Sequence, residues 1–195
     1  PWTYMHEKDK AEKRWPAAEK YIMKKKLNEV FGPDKADIGI VCQGGMYNGV
    51  VRALQRIGLA DIYGNTEVPI YCLNVTYPLV EKEFLKFCEG KPSVLVVEEG
   101  APEFIEQTLT TMVYRSDSKV QLFGRKYLPS VGELTGQVML DSIVAYLKDT
   151  APDMLPGRGR APNTPEPEIP DLSKVVPVRP PSFCTGCPER PIFAG

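Results

Sequence analysis

Val94-Leu95-Val96-Val97 sets four apolar side chains in unbroken succession. Successive residues of a strand point to opposite faces, so such a run leaves no polar face. A strand of this kind is expected to be buried on both sides, the condition of a parallel sheet covered by helices. Other short apolar runs, at residues 38–42, 68–75 and 120–123, read as further strands. Between them the spacing turns helical. Val50, Val51, Leu54 and Ile57 are closed by Gly58, and Pro78 is expected to open a short helix that carries Phe84, Leu85 and Phe87 and stops at Gly90. Pro102 is expected to open a third helix, with Phe104, Ile105, Leu109, Met112 and Val113 facing inward. A last helix is predicted over 132–148, with Thr135 as its N-cap before Val138, Ile143, Val144 and Leu147. Strand–helix alternation implies right-handed crossovers, so the fold class is α/β, a three-layer α/β/α arrangement with a mostly parallel sheet.

Proline marks the boundaries. Of 19 prolines, eight fall in residues 1–150 and eleven in residues 151–195. The tail therefore cannot sustain helix or central strand and is expected to run as an extended arm. Residues 1–36 are strongly charged, and Pro16 suits a first helical turn. The pattern predicts a helix over 16–30, ended by Gly32-Pro33, with Lys24-Lys25-Lys26 on a solvated face. The chain thus divides into a lead-in over 1–36, an α/β domain over 37–150 and a Pro-rich arm over 151–195.

Charge and cysteine usage narrow the function classes. Lys plus Arg number 24 against 25 for Asp plus Glu, a net charge of −1 that gives no electrostatic reason to expect nucleic acid or an anionic membrane. No apolar run approaches the roughly 20 residues of a membrane span. No signal-peptide hydrophobic region opens the chain. Five cysteines, an odd number with Cys42, Cys72 and Cys88 scattered in apolar stretches, suit a reducing compartment, so a cytoplasmic location is expected.

Three places carry chemistry-bearing residues. Gly44-Gly45 and Gly49 follow a strand and open a helix, where α/β folds bind phosphates. The dinucleotide fingerprint fails at Met46 and the P-loop fails at Val50, so a tight turn is the plainer reading and a small anionic ligand the alternative. Glu98-Glu99-Gly100 fall at the carboxyl end of the best strand, where carboxylates serve acid–base or metal chemistry. The single histidine, His6, lies far from them in sequence, which argues against a hydrolytic triad. Cys42 reads as a small core hydrophobe. Cys184 and Cys187 form a C-x-x-C that supplies two of the four ligands a zinc or iron–sulfur site needs.

Three stretches together carry a resemblance. Leu73-Asn74-Val75-Thr76-Tyr77-Pro78-Leu79, Val94 to Glu99 with Phe104-Ile105-Glu106-Gln107, and Arg179 to Arg190 occur in this order. They resemble the middle region of the alpha-subunit family of indolepyruvate ferredoxin oxidoreductases, within the 2-oxoacid:ferredoxin oxidoreductases. Arg14-Trp15-Pro16-Ala17-Ala18 is similar to that family's lead-in. The resemblance implies a transketolase C-terminal-like domain between the two domains that handle thiamine diphosphate. It implies a scaffolding role in oxidative decarboxylation of an aryl 2-oxoacid to the acyl-CoA, with electrons passed to ferredoxin. It also implies that thiamine diphosphate, magnesium and iron–sulfur clusters serve the intact enzyme, with none held stably by this chain alone. On the same grounds Cys184 and Cys187 are metal ligands only in the intact enzyme, and Glu98 and Glu99 are interface residues toward other domains and subunits. Two departures stand out: Glu189 occupies a place where the family often has His, and the Gly-Asp…Asn diphosphate–magnesium motif is absent. The alternative is a free-standing doubly wound module that binds a small anion at Gly44-Gly45.

Overall fold

The computed structural model describes residues 2–155, which form a five-stranded sheet with helices on both faces. The elements run α1 (Trp2–Asp9), a π-helical stretch (Lys10–Arg14), α2 (Trp15–Lys25), β1 (Glu29–Phe31), β2 (Ile38–Gln43), a short 3-10 turn (Gly44–Met46), α3 (Tyr47–Arg56), β3 (Ile70–Leu73), α4 (Glu81–Cys88), β4 (Ser93–Val97), α5 (Phe104–Arg115), β5 (Gln121–Phe123) and α6 (Gly136–Thr150). A 3-10 turn at Pro152–Met154 follows. The sheet order is β1-β3-β2-β4-β5, with β1 antiparallel to β3 and the other pairs parallel.

The apolar runs form strands because alternate residues feed two separate cores. Ile38, Ile40 and Cys42 join Ile70, Cys72, Leu95 and Val97 under α3 and α6. Val41, Tyr71, Leu73, Val94 and Val96 meet α4 and α5 on the other face. Val94 to Val97 are at most 1% exposed and lie between β2 and β5, as a strand with no polar face must. Gly39 belongs to the second face, where a Cβ would come 2.8 Å from the Phe87 ring, so only hydrogen fits. Thr135 caps α6, its hydroxyl oxygen accepting from the Val138 N–H at 3.5 Å.

Three expectations are corrected. The helix predicted over 16–30 stops at Lys25: Lys26 turns left-handed (φ 49°) and the Leu27 N–H closes on the Ile22 carbonyl at 3.1 Å. Val30 is instead on the edge strand β1, paired with Tyr71. Pro78 and Pro102 do not open helices, which begin at Glu81 and Phe104. Phe104 does not face inward; it is 65% exposed, and Ile105 and Leu109 carry that helix's buried stripe. The Pro-rich arm and the C-x-x-C lie outside the described residues from 156 onward.

Candidate functional site

The connection from β2 runs through α3 on one face of the sheet, whereas that from β4 runs through α5 on the other. Ligand crevices of open α/β sheets form where neighbouring strands diverge in this way, outside their carboxyl ends. Here that point lies between β2 and β4. Gln43 ends one strand and Glu98-Glu99 follow the other, so the sequence reading of both segments as carboxyl-edge residues holds.

The crevice is bridged by its own groups. The Glu99 N–H donates to Oε1 of Gln43 at 3.0 Å, across the gap. Oε2 of Glu99 accepts from the Leu134 N–H at 2.7 Å, which holds the loop before α6 against β4. Glu98 is 6% exposed and faces back into its own chain. Its carboxylate accepts from the Ile105 N–H at 2.9 and 3.0 Å and from the Glu106 N–H at 3.0 Å, satisfying donors that open α5. Glu106 in turn accepts from the Arg125 N–H at 3.0 Å, and its carboxylate lies where a Cβ on Gly124 would sit. The Arg125 guanidinium donates to the Gly100 carbonyl, joining the loops after β4 and β5.

The other flank is closed from β3. Oδ1 of Asn74 would stand 2.8 Å from a Cβ on Gly44, which explains glycine there; the space beside Gly45 is open. The Asn74 amide donates to the Leu27 carbonyl and to Oε2 of Glu29, each at 2.9 Å. Buried Asn28 donates to Oε2 of Glu83 at 3.1 Å and to the Tyr71 hydroxyl at 3.3 Å, while its own oxygen accepts from the Val75 N–H at 2.9 Å. Tyr71 donates to Glu83 at 3.1 Å, and burial pushes its phenol well above the ordinary range. Sequence reading missed this network. Its one readable signal is a tyrosine inside an apolar strand, whose buried hydroxyl needs a partner.

The groups at the crevice do not suit a diphosphate, which needs donors and free cations. They are the acceptor oxygens of Glu99 and Asn74, and the Arg125 guanidinium donates to the Pro129 and Gly100 carbonyls. Among the described residues no group of three His, Cys, Asp or Glu side chains is placed to hold a metal ion. A recess of about 610 Å³ lies at the opposite, amino edge of the sheet, between the ends of α4 and α5, and is lined by Cys88, Lys91, Ser116 and Lys119. Lys91 is 6% exposed, with its ammonium 4.9 Å from the Phe87 ring centroid. A cation at the carboxyl end of α4 is favoured by that helix's dipole, which accounts for Lys91 without a ligand.

The family profile of the indolepyruvate oxidoreductase domain matches residues 28–147, from the buried Asn28 to the last turns of α6. The chain belongs to this family. The match therefore takes in the edge strand β1 as well as the parallel strands of the indolepyruvate oxidoreductase domain. Indolepyruvate oxidoreductase subunit IorA of Methanothermobacter thermautotrophicus is 34% identical over 169 residues, 86% of this chain and 24% of that protein. Subunit IorA of Thermococcus kodakarensis is 29% identical over 167 residues, with the same coverage of 86% and 24%. The chain thus spans 24% of the length of these curated relatives. A chain of the 2-oxoglutarate:ferredoxin oxidoreductase from Magnetococcus marinus, solved with 2-oxoglutarate, coenzyme A and succinyl-CoA bound, aligns with a TM-score of 0.43 and 19% identity over 60% of this chain and 19% of its own. Among the described residues no helix is long and apolar enough to cross a membrane.

Proposed function

We propose that this chain is the inter-domain scaffolding module of a thiamine diphosphate-dependent 2-oxoacid:ferredoxin oxidoreductase of the indolepyruvate type. The observation that carries the reading is the state of the carboxyl edge. Gln43, Glu98 and one oxygen of Glu99, groups a reaction centre would draw on, are committed to hydrogen bonds within the domain. A crevice closed in this way presents a shaped surface. Glu98 acts through the α5 terminus it holds, whereas Oε1 of half-buried Glu99 has no partner among the described residues and is the group left to meet a neighbour.

Thiamine diphosphate, magnesium and the iron–sulfur clusters then belong to the intact enzyme, which oxidatively decarboxylates an aryl 2-oxoacid with coenzyme A and ferredoxin as partners, in the cytoplasm. When bound, thiamine diphosphate supplies the carbanion chemistry of decarboxylation; this chain's residues position neighbouring domains and subunits around it. Cys184 and Cys187 contribute two thiolates to a metal site only in that assembly. The free-standing anion module has less support, because the acceptor oxygen of Asn74 borders the Gly44-Gly45 turn.

The test is reassembly. Co-expressed with the remaining segments of an indolepyruvate oxidoreductase, the chain should co-elute with them and give indolepyruvate-dependent reduction of ferredoxin that neither part has alone. Separate elution, with no activity gained, would count against the module.

A further inference from the structure

Cys42 and Cys72 are register partners on the parallel strands β2 and β3, and both lie in the core under α3 and α6. Neighbouring strands run about 4.7–4.9 Å apart, inside the roughly 4.4–6.8 Å between Cα atoms that a disulfide spans. Equivalent positions on paired strands send their Cβ atoms to the same face. The two thiols are both free. The third thiol of the domain, Cys88, belongs to the opposite core and cannot compete.

We propose that Cys42 and Cys72 form a redox-modification site, where a hydroperoxide converts the two thiols into a disulfide that staples β2 to β3 beside the crevice. The inference stands independently of the scaffolding reading. Cys72 is the attacking sulfur: its register partner Cys42 holds its thiol below the ordinary range, whereas Cys72 and burial push Cys42 far up. The Cys72 thiolate takes the terminal peroxide oxygen, the O–O bond breaks, and a sulfenic acid forms as hydroxide leaves. That hydroxide removes the Cys42 proton. The new thiolate attacks the Cys72 sulfur and expels the sulfenic oxygen, which leaves as water with the proton Cys72 gave up. Two thiols lose two electrons and two protons, and the hydroperoxide is reduced to water, or to water and an alcohol.

Closure reaches the crevice through one bond. The Cys72 thiol donates to Oδ1 of Asn74 at 3.5 Å, and Asn74 is the residue packed over Gly44. The disulfide removes that donor.

The experiment exposes the 195-residue chain to excess hydrogen peroxide, unfolds it in acid, alkylates free thiols and maps peptides by mass. The expected result is a dithiothreitol-reversible cross-link joining the Cys42 and Cys72 peptides, with Cys88 recovered alkylated. In the Cys42→Ser variant the Cys72 oxidation should halt at a sulfenic acid that dimedone traps. Recovery of Cys42 and Cys72 both alkylated, or of either one joined to Cys184 or Cys187, overturns the proposal.

Discussion

The carboxylate of Glu98 lies 2.9 and 3.0 Å from the backbone nitrogen of Ile105, seven residues further along the chain. One side chain thus ends β4 and starts α5, meeting donors of a helix terminus that would otherwise be unsatisfied in a buried place. Glu98→Ala should lower stability by about 1–3 kcal/mol in urea unfolding. Glu98→Gln, which keeps one acceptor oxygen, should cost less. Equal stability of all three proteins would mean that the bonds are not formed.

Val96 is 1% exposed and packs between the sheet and the helices α4 and α5. A carboxylate there would have no partner, a burial cost of several kcal/mol. Val96→Asp is therefore expected to abolish folding, read as loss of soluble protein and of a cooperative thermal transition. A soluble variant melting like the parent would place β4 at the periphery.

Buried groups, Cys88 and Tyr146 among them, give stability an alkaline limit. Burial pushes the Cys88 thiol from 9.0 up to about 12, and it pushes the Tyr146 phenol from 10.0 up to about 12. A folded-state pKa raised above the unfolded one means that the native state holds the proton more tightly. Stability from these groups is complete below about pH 9 and falls as pH rises towards about 12. Urea midpoints measured from about pH 7 to about pH 11 should be level and then decline, and Cys88→Ala should soften the decline. A midpoint that rises over that interval would contradict the assignment.

The parallel core was legible in the sequence because both faces of β2, β3 and β4 are apolar, and burial on two sides leaves a run that no other element explains. The carboxyl-edge position of the Gly44-Gly45 turn and of Glu98 and Glu99 followed from the same runs. Their partners did not. Glu98 finds Ile105 only once α5 packs beneath the sheet, and Asn28 finds Tyr71 and Glu83 across 43 and 55 residues of chain. The early end of α2 was hidden for a local reason: the left-handed residue is Lys26, where glycine would have given the stop signal. β1 has three residues, too few for an alternation to emerge, and Val30-Phe31 continued the helical spacing instead.

The central claim is that this domain supports a cofactor site built by its neighbours and does not hold the cofactor itself. Titration calorimetry of thiamine diphosphate with magnesium tests it directly, run on the 195-residue chain and on the chain reassembled with the remaining segments of the enzyme. The account predicts no saturable heat from the chain alone and stoichiometric binding by the assembly. Stoichiometric binding by the isolated chain would contradict it.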